Sequence, residues 1–287
     1  MNFQVFTDGS ANLPKSMLEG IELLPCSYYV GDAEYTYQGD VDDFDGAAYY
    51  NELRAGKHVK TSLLNTHLFL TRFSPVLEAG TDVIYIAMSS GISGTYQAAK
   101  LAAEELMEEF PGRVVRIVDS RGCGFGSGLL AYRGAELARQ GLTATEAADK
   151  LDADVPHMCQ YFTVDDLNFL KRSGRVSGAI AMIATVLNIK PILYGTAEGK
   201  IVSCGKVRGR KKAIDFIVEE YAKKAVHPEN QVVCISHGDC LEEAKVLAEK
   251  VNAVAKPGKL VICQHEPFSG AHVGPGMLAL FFYGSER

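Results

Sequence analysis

The sequence predicts an α/β fold of two domains, in which parallel or mixed sheets are covered by helices and a ligand site lies between or beside the domains. The length of 287 residues corresponds to two domains of about 150 residues each. Hydrophobic residues make up 47% and charged residues 22% of the chain, as in ordinary globular proteins. Apolar runs of strand length alternate with stretches of helical periodicity, which is typical of sheets covered by helices.

The individual elements follow from these patterns. The apolar runs predict strands over Phe3–Phe6, Ile21–Val30, Val83–Ala87, Val114–Val118, Met158–Val164, Val232–Ser236, Leu260–Gln264 and Met277–Tyr283. A single apolar face predicts helices over Thr66–Leu77, Thr95–Phe110, Arg210–Ala225 and Leu241–Val251. The segment Ala179–Leu187 is apolar on almost every face, so we expect a helix that is buried in a core or against an apolar ligand.

No linker rich in Pro, Gly or Ser marks a domain boundary. After residue 160 the alternation of strands and helices gives way to TVDDLNFLKRSGRVSG, which the apolar segment 179–187 follows. We therefore expect an N-terminal α/β domain at residues 1–160 and a C-terminal α/β domain at residues 161–287.

Composition excludes several classes of protein. The net charge of −6 disfavours nonspecific nucleic-acid binding, because the overall field repels polyphosphate. The longest uncharged stretch, Val83–Ala99, contains polar residues throughout, so we expect no stable insertion into a membrane. The first ten residues lack the pattern of a secretory signal, and the seven cysteines form no CxxC pair. Both observations predict a cytoplasmic protein with reduced thiols.

The most informative stretch is DVIYIAMSSGISGTYQ at Asp82–Gln97. It reads as a strand, a turn rich in glycine and hydroxyl groups, and the start of a helix. Backbone N–H groups at a helix N-terminus and nearby hydroxyls can bind an anion together, which makes Ser93 and Gly94 candidate ligand contacts. A simple helix cap is the alternative, because serine is also preferred there for satisfying the same N–H groups.

Two further positions carry candidate polar groups. Thr61 and Ser62 form a hydroxyl pair ahead of a predicted helix, which they could merely cap. His272 lies in SGAHVGPG, read here as a loop rich in glycine and proline between two strands. A lone histidine is more often structural than functional, but such a loop gives it little packing of its own.

Signatures of other chemistries are incomplete. The phosphate-binding pattern GxxxxGK[ST] is absent, and Ser93 does not match the G-x-S-x-G turn of hydrolases. Cys234, His237 and Cys240 have a C-x-x-H-x-x-C spacing without an obvious fourth ligand. We therefore predict neither a metal nor another cofactor.

Basic residues gather in LKRSGRVSG, around Arg172, and in GKVRGRKKA, around Arg208. A charge run is usually a solvated surface. The alternative is a docking surface for an acidic or phosphate-bearing partner, because arginine binds oxyanions in a fixed geometry.

Taken in order, these pieces resemble the DegV family, whose members bind long-chain fatty acids and include the acyl-binding subunits of bacterial fatty acid kinase. The resemblance covers essentially the whole chain. The matching motifs are TDGSANLP at Thr7–Pro14, KTS at Lys60–Ser62, SSGISGTYQAA at Ser89–Ala99, VDS at Val118–Ser120, DDLNFLKRSGRVS at Asp165–Ser177, KPIL at Lys190–Leu193, VRGRKKA at Val207–Ala213 and GAHVGPG at Gly270–Gly276.

The resemblance implies that a fatty acid such as palmitate or an 18-carbon acid occupies an apolar tunnel. Hydroxyl groups at Thr61 and Ser93 would hold its carboxylate, with His272 near the same group and Ser62 and Gly94 completing the site. It also implies that the protein is not itself an enzyme, and that a kinase subunit forms the acyl phosphate. The kinase would dock on Arg208 and Arg172.

The sequence departs from the family pattern TSxPS, because Leu64 and Asn65 replace its proline and second serine. These changes leave the expected binding residues in place, but they alter the surroundings of the acyl chain. Phe125 and the segment 179–187 are candidate tunnel walls.

Two alternative functions remain open at this point. The first is an acyl ester hydrolase or transferase, with Ser93 as nucleophile, His272 as base and Asp119 or Asp8 as the orienting acid. The second is a binder of small anions that uses only the helix N-terminus.

Overall fold

The computed structural model describes residues 2–176 and 188–287. The helix expected over Ala179–Leu187 lies outside these ranges. Strands in the described part are β1 (Phe3–Asp8), β2 (Ile21–Leu24), β3 (Cys26–Val30), β4 (Ala33–Tyr37), β5 (Val59–Thr61), β6 (Asp82–Ala87), β7 (Val115–Asp119), β8 (Met158–Thr163), β9 (Ile189–Gly195), β10 (Ile201–Arg208), β11 (Val232–His237), β12 (Lys259–Gln264) and β13 (Leu278–Tyr283). Helices are α1 (Gly46–Arg54), α2 (Thr66–Glu78), α3 (Thr95–Glu109), α4 (Phe125–Arg139), α5 (Ala144–Asp154), α6 (Asn168–Ser173), α7 (Arg210–Lys224), α8 (Leu241–Val254) and α9 (Pro267–Val273).

The first sheet is parallel and has the strand order β2-β1-β6-β7. Alternate side chains of its strands point to opposite faces. Phe6 and Tyr85 pack against helices α2 and α3, whereas Val5 and Ile84 face α4 and α5. Because helices cover both faces, the central strands are apolar along almost their whole length.

The second sheet has the order β10-β9-β8-β13-β11-β12 and is mixed, since only β11 and β12 pair in parallel. Helices α7 and α8 cover one face around Tyr221 and Leu247. Helix α4 contributes Leu129 and Leu130 to a core that also contains residues of both sheets. The two sheets therefore share one apolar layer, and the α/β class with parallel and mixed sheets is confirmed.

The division between the sheets differs from the expected domain boundary. A boundary after residue 160 falls inside β8, whose whole length from Met158 to Thr163 pairs within the second sheet. The second sheet therefore begins at Met158. The division into an N-terminal and a C-terminal domain near residue 160 stays a prediction.

A small antiparallel sheet of order β4-β3-β5 corrects one of the strand predictions. The single strand predicted over Ile21–Val30 is two strands in different sheets. They separate at Pro25, which has no N–H group to donate to a neighbouring strand. β2 continues the parallel sheet, whereas β3 pairs with β5 and thereby positions Thr61.

The expected loop around His272 is also wrong, because Pro267–Val273 is helix α9. The Glu266 side chain caps the helix by accepting from the backbone N–H groups of Phe268 and Ser269. Pro267 occupies the first turn, and Gly274 ends the helix with a φ of 75° that favours glycine. Within the described ranges, no helix combines the length and apolarity that crossing a membrane requires.

Candidate functional site

A cavity of about 200 Å³, called the head-group cavity below, lies where β5, α3, α6, β10 and α9 meet. Thr61, Ser93, Gly94 and His272 all line it, so the structure brings together four of the five site residues predicted from sequence. The remaining described lining is mainly apolar, apart from three polar side chains, and consists of Leu63, Met88, Ile92, Cys123, Leu170, Arg175, Ile201, His265, Phe268, Ser269 and Val273.

Thr61 and His272 contact each other at one side of this cavity. Thr61 Oγ1 lies 3.0 Å from His272 Nε2. Burial and the nearby Arg175 guanidinium lower the pKa of His272 to about 4, so its ring is neutral at neutral pH. A neutral ring that donates from Nε2 leaves the Thr61 hydroxyl proton available for a bound carboxylate.

Ser93 lies at the start of α3. Its Oγ accepts from the Thr95 backbone N–H at 3.2 Å and donates to Thr95 Oγ1 at 3.1 Å. Gly94, and not Ser93, is the N-cap residue of α3 and provides no side-chain cap. The Ser93 hydroxyl still satisfies one backbone N–H group at the start of this helix, and it also lines the cavity. A ligand oxygen in the cavity could accept the serine proton in place of Thr95.

Ser62 is the predicted site residue that the structure does not place at the head-group cavity. Its hydroxyl lies 3.5 Å from the Ser27 backbone oxygen, and its backbone N–H donates to the same oxygen. Ser62 follows Thr61 directly along an extended chain, where successive side chains point in opposite directions. The two hydroxyl groups predicted as a pair therefore lie on opposite sides of the chain, and of the two only Thr61 lines the cavity.

A buried polar chain, two of whose members line the cavity, was not predicted from the sequence. Ser236 Oγ lies 3.1 Å from His265 Nδ1, and Ser269 Oγ lies 2.9 Å from His265 Nε2. Ser269 also donates to the Glu266 carboxylate. Because this bond uses the only Ser269 hydroxyl proton, His265 donates from Nε2 and accepts at Nδ1 from Ser236.

The ionisation of this chain follows from its burial. Burial, with His237 nearby, lowers the pKa of His265 to about 3. Burial raises the pKa of Glu266 to about 7, although hydrogen bonds from Ser269 and Phe268 act in the opposite direction. The sequence contains one signal for this region, HEPFS, in which a Glu-Pro pair begins a helix. The small residues that follow in SGAHVGPG favour a loop instead, so the helix was not predicted.

The residues of the ester hydrolase alternative do not form a triad. Asp119 accepts hydrogen bonds from the backbone N–H and the hydroxyl of Ser90, at 3.0 and 2.5 Å. Asp8 accepts from Ser10 and Tyr85. In the described part of the chain, neither acid forms a hydrogen bond with His272, which contacts Thr61 instead. The arrangement that a nucleophilic serine needs is therefore missing from these residues.

Several other expected positions have structural roles. Phe125 packs against Phe281 in the core, with ring centroids 5.9 Å apart, and does not line the head-group cavity. His237 Nδ1 accepts from the Cys240 backbone N–H at 3.3 Å. Within the described residues, no group of three or more His, Cys, Asp or Glu side chains could hold a metal ion.

The two arginines predicted to face a partner lie at the surface. Arg208 ends β10 and is exposed. Arg172 lies in α6, with its guanidinium carbon 4.7 Å from the centre of the Phe169 ring. Arg172 borders the clefts beside the head-group cavity, whereas Arg208 does not line that cavity.

An α/β fold with a partly apolar cavity, bordered at one side by hydroxyl groups and a neutral histidine, defines a class of small-molecule binding protein. The chain belongs to the DegV family, because a family model described as DegV matches residues 2–285. A DegV domain-containing protein of Clostridium perfringens is 36% identical over 99% of this chain and 98% of its own. A DegV domain-containing protein of Lactococcus lactis is 32% identical over 98% of this chain and 97% of its own.

Solved structures show the same fold. A DegV family protein from Thermus thermophilus, described by its fatty acid binding, is 27% identical with a TM-score of 0.87, covering 99% of this chain and 100% of that one. DegV from Bacillus subtilis, described as a fatty acid binding protein, is 29% identical with a TM-score of 0.82, covering 98% of both chains. Fatty acid binding is therefore described for two solved relatives that match this chain over almost its whole length.

Proposed function

We propose that this protein binds a long-chain fatty acid and holds its carboxylate in the head-group cavity. The observation that carries the proposal is the contact between Thr61 and His272 in a cavity that also exposes Ser93 and is otherwise mostly apolar. Fatty acid binding by the Thermus thermophilus and Bacillus subtilis relatives supports it.

Neutral donors suit the carboxylate for a physical reason. A carboxylate that leaves water needs several hydrogen bonds to offset its desolvation. The hydroxyls of Thr61 and Ser93 and the backbone N–H groups at the start of α3 can supply them. These donors are uncharged, so they leave a carboxylate oxygen accessible to a phosphorylating partner, for which a bidentate arginine would compete. Arg175 also lines the cavity, but its guanidinium donates to the Ser173 backbone oxygen.

The acyl chain supplies most of the affinity. Burial of about sixteen methylenes at about 0.8 kcal/mol each contributes on the order of 13 kcal/mol before the costs of association are subtracted. The cavity of about 200 Å³ is smaller than the roughly 300–1,000 Å³ of common ligand sites. It therefore has room for the head group and first methylenes, and the rest of the chain needs space beyond it.

We further propose that the protein is a noncatalytic, cytoplasmic carrier that presents the bound acid to a fatty acid kinase. The exposed Arg208 and Arg172 would form the docking surface. Incubation with a fatty acid kinase subunit, ATP and labelled palmitate tests this step. Arg208→Ala should slow formation of acyl phosphate, whereas Lys150→Ala, at an exposed position on α5 and outside both basic runs, should not. Equal rates of acyl phosphate formation with Arg208→Ala and with wild type would contradict the docking assignment.

The central test is to extract the purified protein with organic solvent and to analyse the extract by mass spectrometry. We expect about one long-chain fatty acid per chain. Delipidated protein should then bind palmitate in a titration with saturable, one-to-one stoichiometry. An extract without fatty acid, together with absence of palmitate binding, would refute the proposal. Turnover of an acyl ester that depends on Ser93 would favour the hydrolase instead.

A further inference from the structure

A cavity of about 480 Å³, called the aromatic cavity below, lies where strands β3 and β4 of the small antiparallel sheet meet helix α1. Five aromatic side chains line it, those of Tyr28, Tyr35, Tyr37, Phe44 and Tyr49. Among the described residues, none lines both this cavity and the head-group cavity. The aromatic cavity is therefore separate from the site proposed for the fatty acid.

The five rings form a continuous wall. Tyr28 and Tyr35 pair directly across β3 and β4, and their rings stack with centroids 5.3 Å apart. The Tyr49 ring is nearly perpendicular to that of Tyr28, at 87° and 5.7 Å. Phe44 contacts Tyr49 at 5.4 Å and Tyr37 at 5.8 Å, with interplanar angles of 61° and 64°. Because neighbouring rings are tilted so strongly, the wall offers both ring faces and ring edges to the cavity.

The charged residues around this wall are mostly acidic. The described lining contains three carboxylates, those of Asp43, Asp45 and Glu52, and one ammonium group, that of Lys57. Lys57 forms an ion pair with Glu52. Asp45 accepts a backbone N–H at the start of α1 through Oδ1, and Asp43 Oδ2 lies 3.9 Å from the ammonium of Lys15 outside the cavity. The cavity lining itself keeps an excess of negative charge, which attracts a cation.

The Tyr37 hydroxyl is the polar group here that points to a ligand. Tyr37 lines the cavity although only 7% of the residue is exposed. Its hydroxyl is buried and has no hydrogen-bond partner within the described ranges. The Tyr49 hydroxyl, by contrast, donates to the Pro267 backbone oxygen at 2.7 Å. A buried hydroxyl without a partner is costly, so a ligand that brings an oxygen atom to Tyr37 would gain a hydrogen bond.

A quaternary ammonium group fits these features best. Its positive charge is spread over methyl or methylene groups and it has no N–H to donate, so it gains most from the negative faces of aromatic rings. A metal ion would need several converging ligands instead. No group of three or more His, Cys, Asp or Glu side chains in the described residues could hold one.

We propose that the aromatic cavity binds a small organic cation that carries a quaternary ammonium group and an oxygen atom. The rings of Tyr28, Tyr35 and Tyr49 contact the ammonium group, and the Tyr37 hydroxyl donates to the oxygen. The carboxylates of the lining add a favourable field. This binding site is a function beyond the proposed fatty acid binding, and it can be tested independently because the two cavities have separate linings.

Choline and its uncharged isostere 3,3-dimethylbutan-1-ol test the assignment, because the two compounds differ only in a nitrogen atom that carbon replaces. Both are titrated into the full-length protein, and the ligand methyl signals are followed by NMR spectroscopy. We expect choline to bind saturably at one site per chain, about tenfold or more tightly than the alcohol.

Variants of the wall separate its contributions. Tyr35→Leu removes a ring that is 47% exposed, so the protein should fold normally and bind choline about threefold to tenfold more weakly, whereas Tyr35→Phe keeps the ring and should bind as wild type does. Tyr28→Leu should lose at least as much as Tyr35→Leu. Tyr29→Leu is its matched control, because the next side chain along β3 points to the opposite face and does not line the cavity. Tyr37→Phe should weaken choline several-fold but not tetramethylammonium, which has no oxygen.

Several results would overturn the assignment. Absence of choline binding, or equal affinities for choline and the alcohol, would show that the cavity does not select a cation. Ethanolamine that binds as tightly as choline would mean that carboxylates rather than rings hold the ligand, which excludes the quaternary class. A loss of choline affinity in Tyr29→Leu as large as in Tyr28→Leu would place the site elsewhere. Palmitate affinity, measured on the same Tyr35→Leu protein, should equal that of wild type.

Discussion

His272 Nε2 lies 3.0 Å from Thr61 Oγ1, although 211 residues separate them in the chain. Thr61 ends a strand of the small antiparallel sheet, and His272 lies in the last turn of α9. The contact therefore joins two distant parts of the sequence at the wall of the head-group cavity. It depends on the position of α9, which the Glu266 cap fixes at the other end of that helix.

The first prediction concerns this contact. Thr61→Val keeps the shape of the side chain but removes its hydroxyl, so palmitate affinity should fall about tenfold to a hundredfold, the worth of one hydrogen bond to a charged group. Thr61→Ser retains the hydroxyl and should bind within a few-fold of wild type. Calorimetric titration of delipidated protein measures both.

Ser62→Ala is the matched control, because it removes a hydroxyl from the next residue, which does not line the cavity. Its palmitate affinity should match that of wild type. A loss in Ser62→Ala as large as in Thr61→Val would mean that the carboxylate site is assigned to the wrong face of this segment.

The second prediction concerns the edge of the head-group cavity at Gly94. A Cβ atom at this position would lie 3.3 Å from Leu63 Cδ2, and both residues line the cavity. Gly94→Ala should therefore press Leu63 against the ligand and weaken palmitate binding several-fold. Leu63 is 54% exposed and flexible, so adding Leu63→Ala should restore affinity without loss of stability. Equal affinities in the single and double variants would contradict this explanation.

The third prediction concerns Ser269 in the buried polar chain. Ser269→Ala leaves the His265 Nε2–H group without its acceptor and removes a donor to Glu266. We expect the free energy of unfolding to decrease by about 1–3 kcal/mol, the typical cost of an unsatisfied buried polar group. Urea unfolding measures the change, with Ser285→Ala at an exposed position as control. A decrease in the free energy of unfolding no larger than that of Ser285→Ala would show that this hydrogen-bond chain does not stabilise the fold.

Local sequence patterns located Ser93 and Gly94 because they lie between a strand and a helix, where backbone and hydroxyl donors converge. Thr61 was a candidate as part of a hydroxyl pair ahead of a predicted helix. These patterns could not separate Thr61 from Ser62, since the direction of neighbouring side chains depends on how the strand β5 pairs with β3. They also missed His265 and Ser269. The role of these residues depends on their burial at the start of α9 and on Ser236, which comes from strand β11.

The parallel sheet was predictable, because its apolar runs are long and helices of clear periodicity follow them. The break at Pro25 and the helix at Pro267 were not, although proline occurs at both. At Pro25 the chain changes sheets, whereas at Pro267 the same residue type begins a helix. Whether a proline ends a strand or begins a helix here depends on contacts with distant parts of the chain, which local sequence patterns do not show.

The fourth prediction concerns the pH dependence of stability through Glu266. Its pKa is raised from an ordinary 4.5 to about 7 in the folded protein, mainly by burial. Between these values the folded protein retains a proton that the unfolded chain has released. The stability that this bound proton contributes is therefore complete below about pH 4.5 and is lost as the pH rises through about 7. The loss in the free energy of unfolding is on the order of 3 kcal/mol.

Glu266→Gln keeps a side-chain oxygen that can cap α9 but cannot ionise, so it should abolish this loss. Urea unfolding at about pH 4.5 and about pH 8 measures the free energies, and the difference between wild type and Glu266→Gln should change by about 3 kcal/mol in favour of the variant. The pKa values of His265 and His272 are lowered to about 3 and about 4, so these residues act in the opposite direction between those values and about pH 6.5, but they do so in both proteins. They therefore cancel if the substitution leaves their surroundings intact. Glu78→Gln, at an exposed position, should follow wild type, and parallel pH profiles for all three proteins would contradict a buried, titrating Glu266.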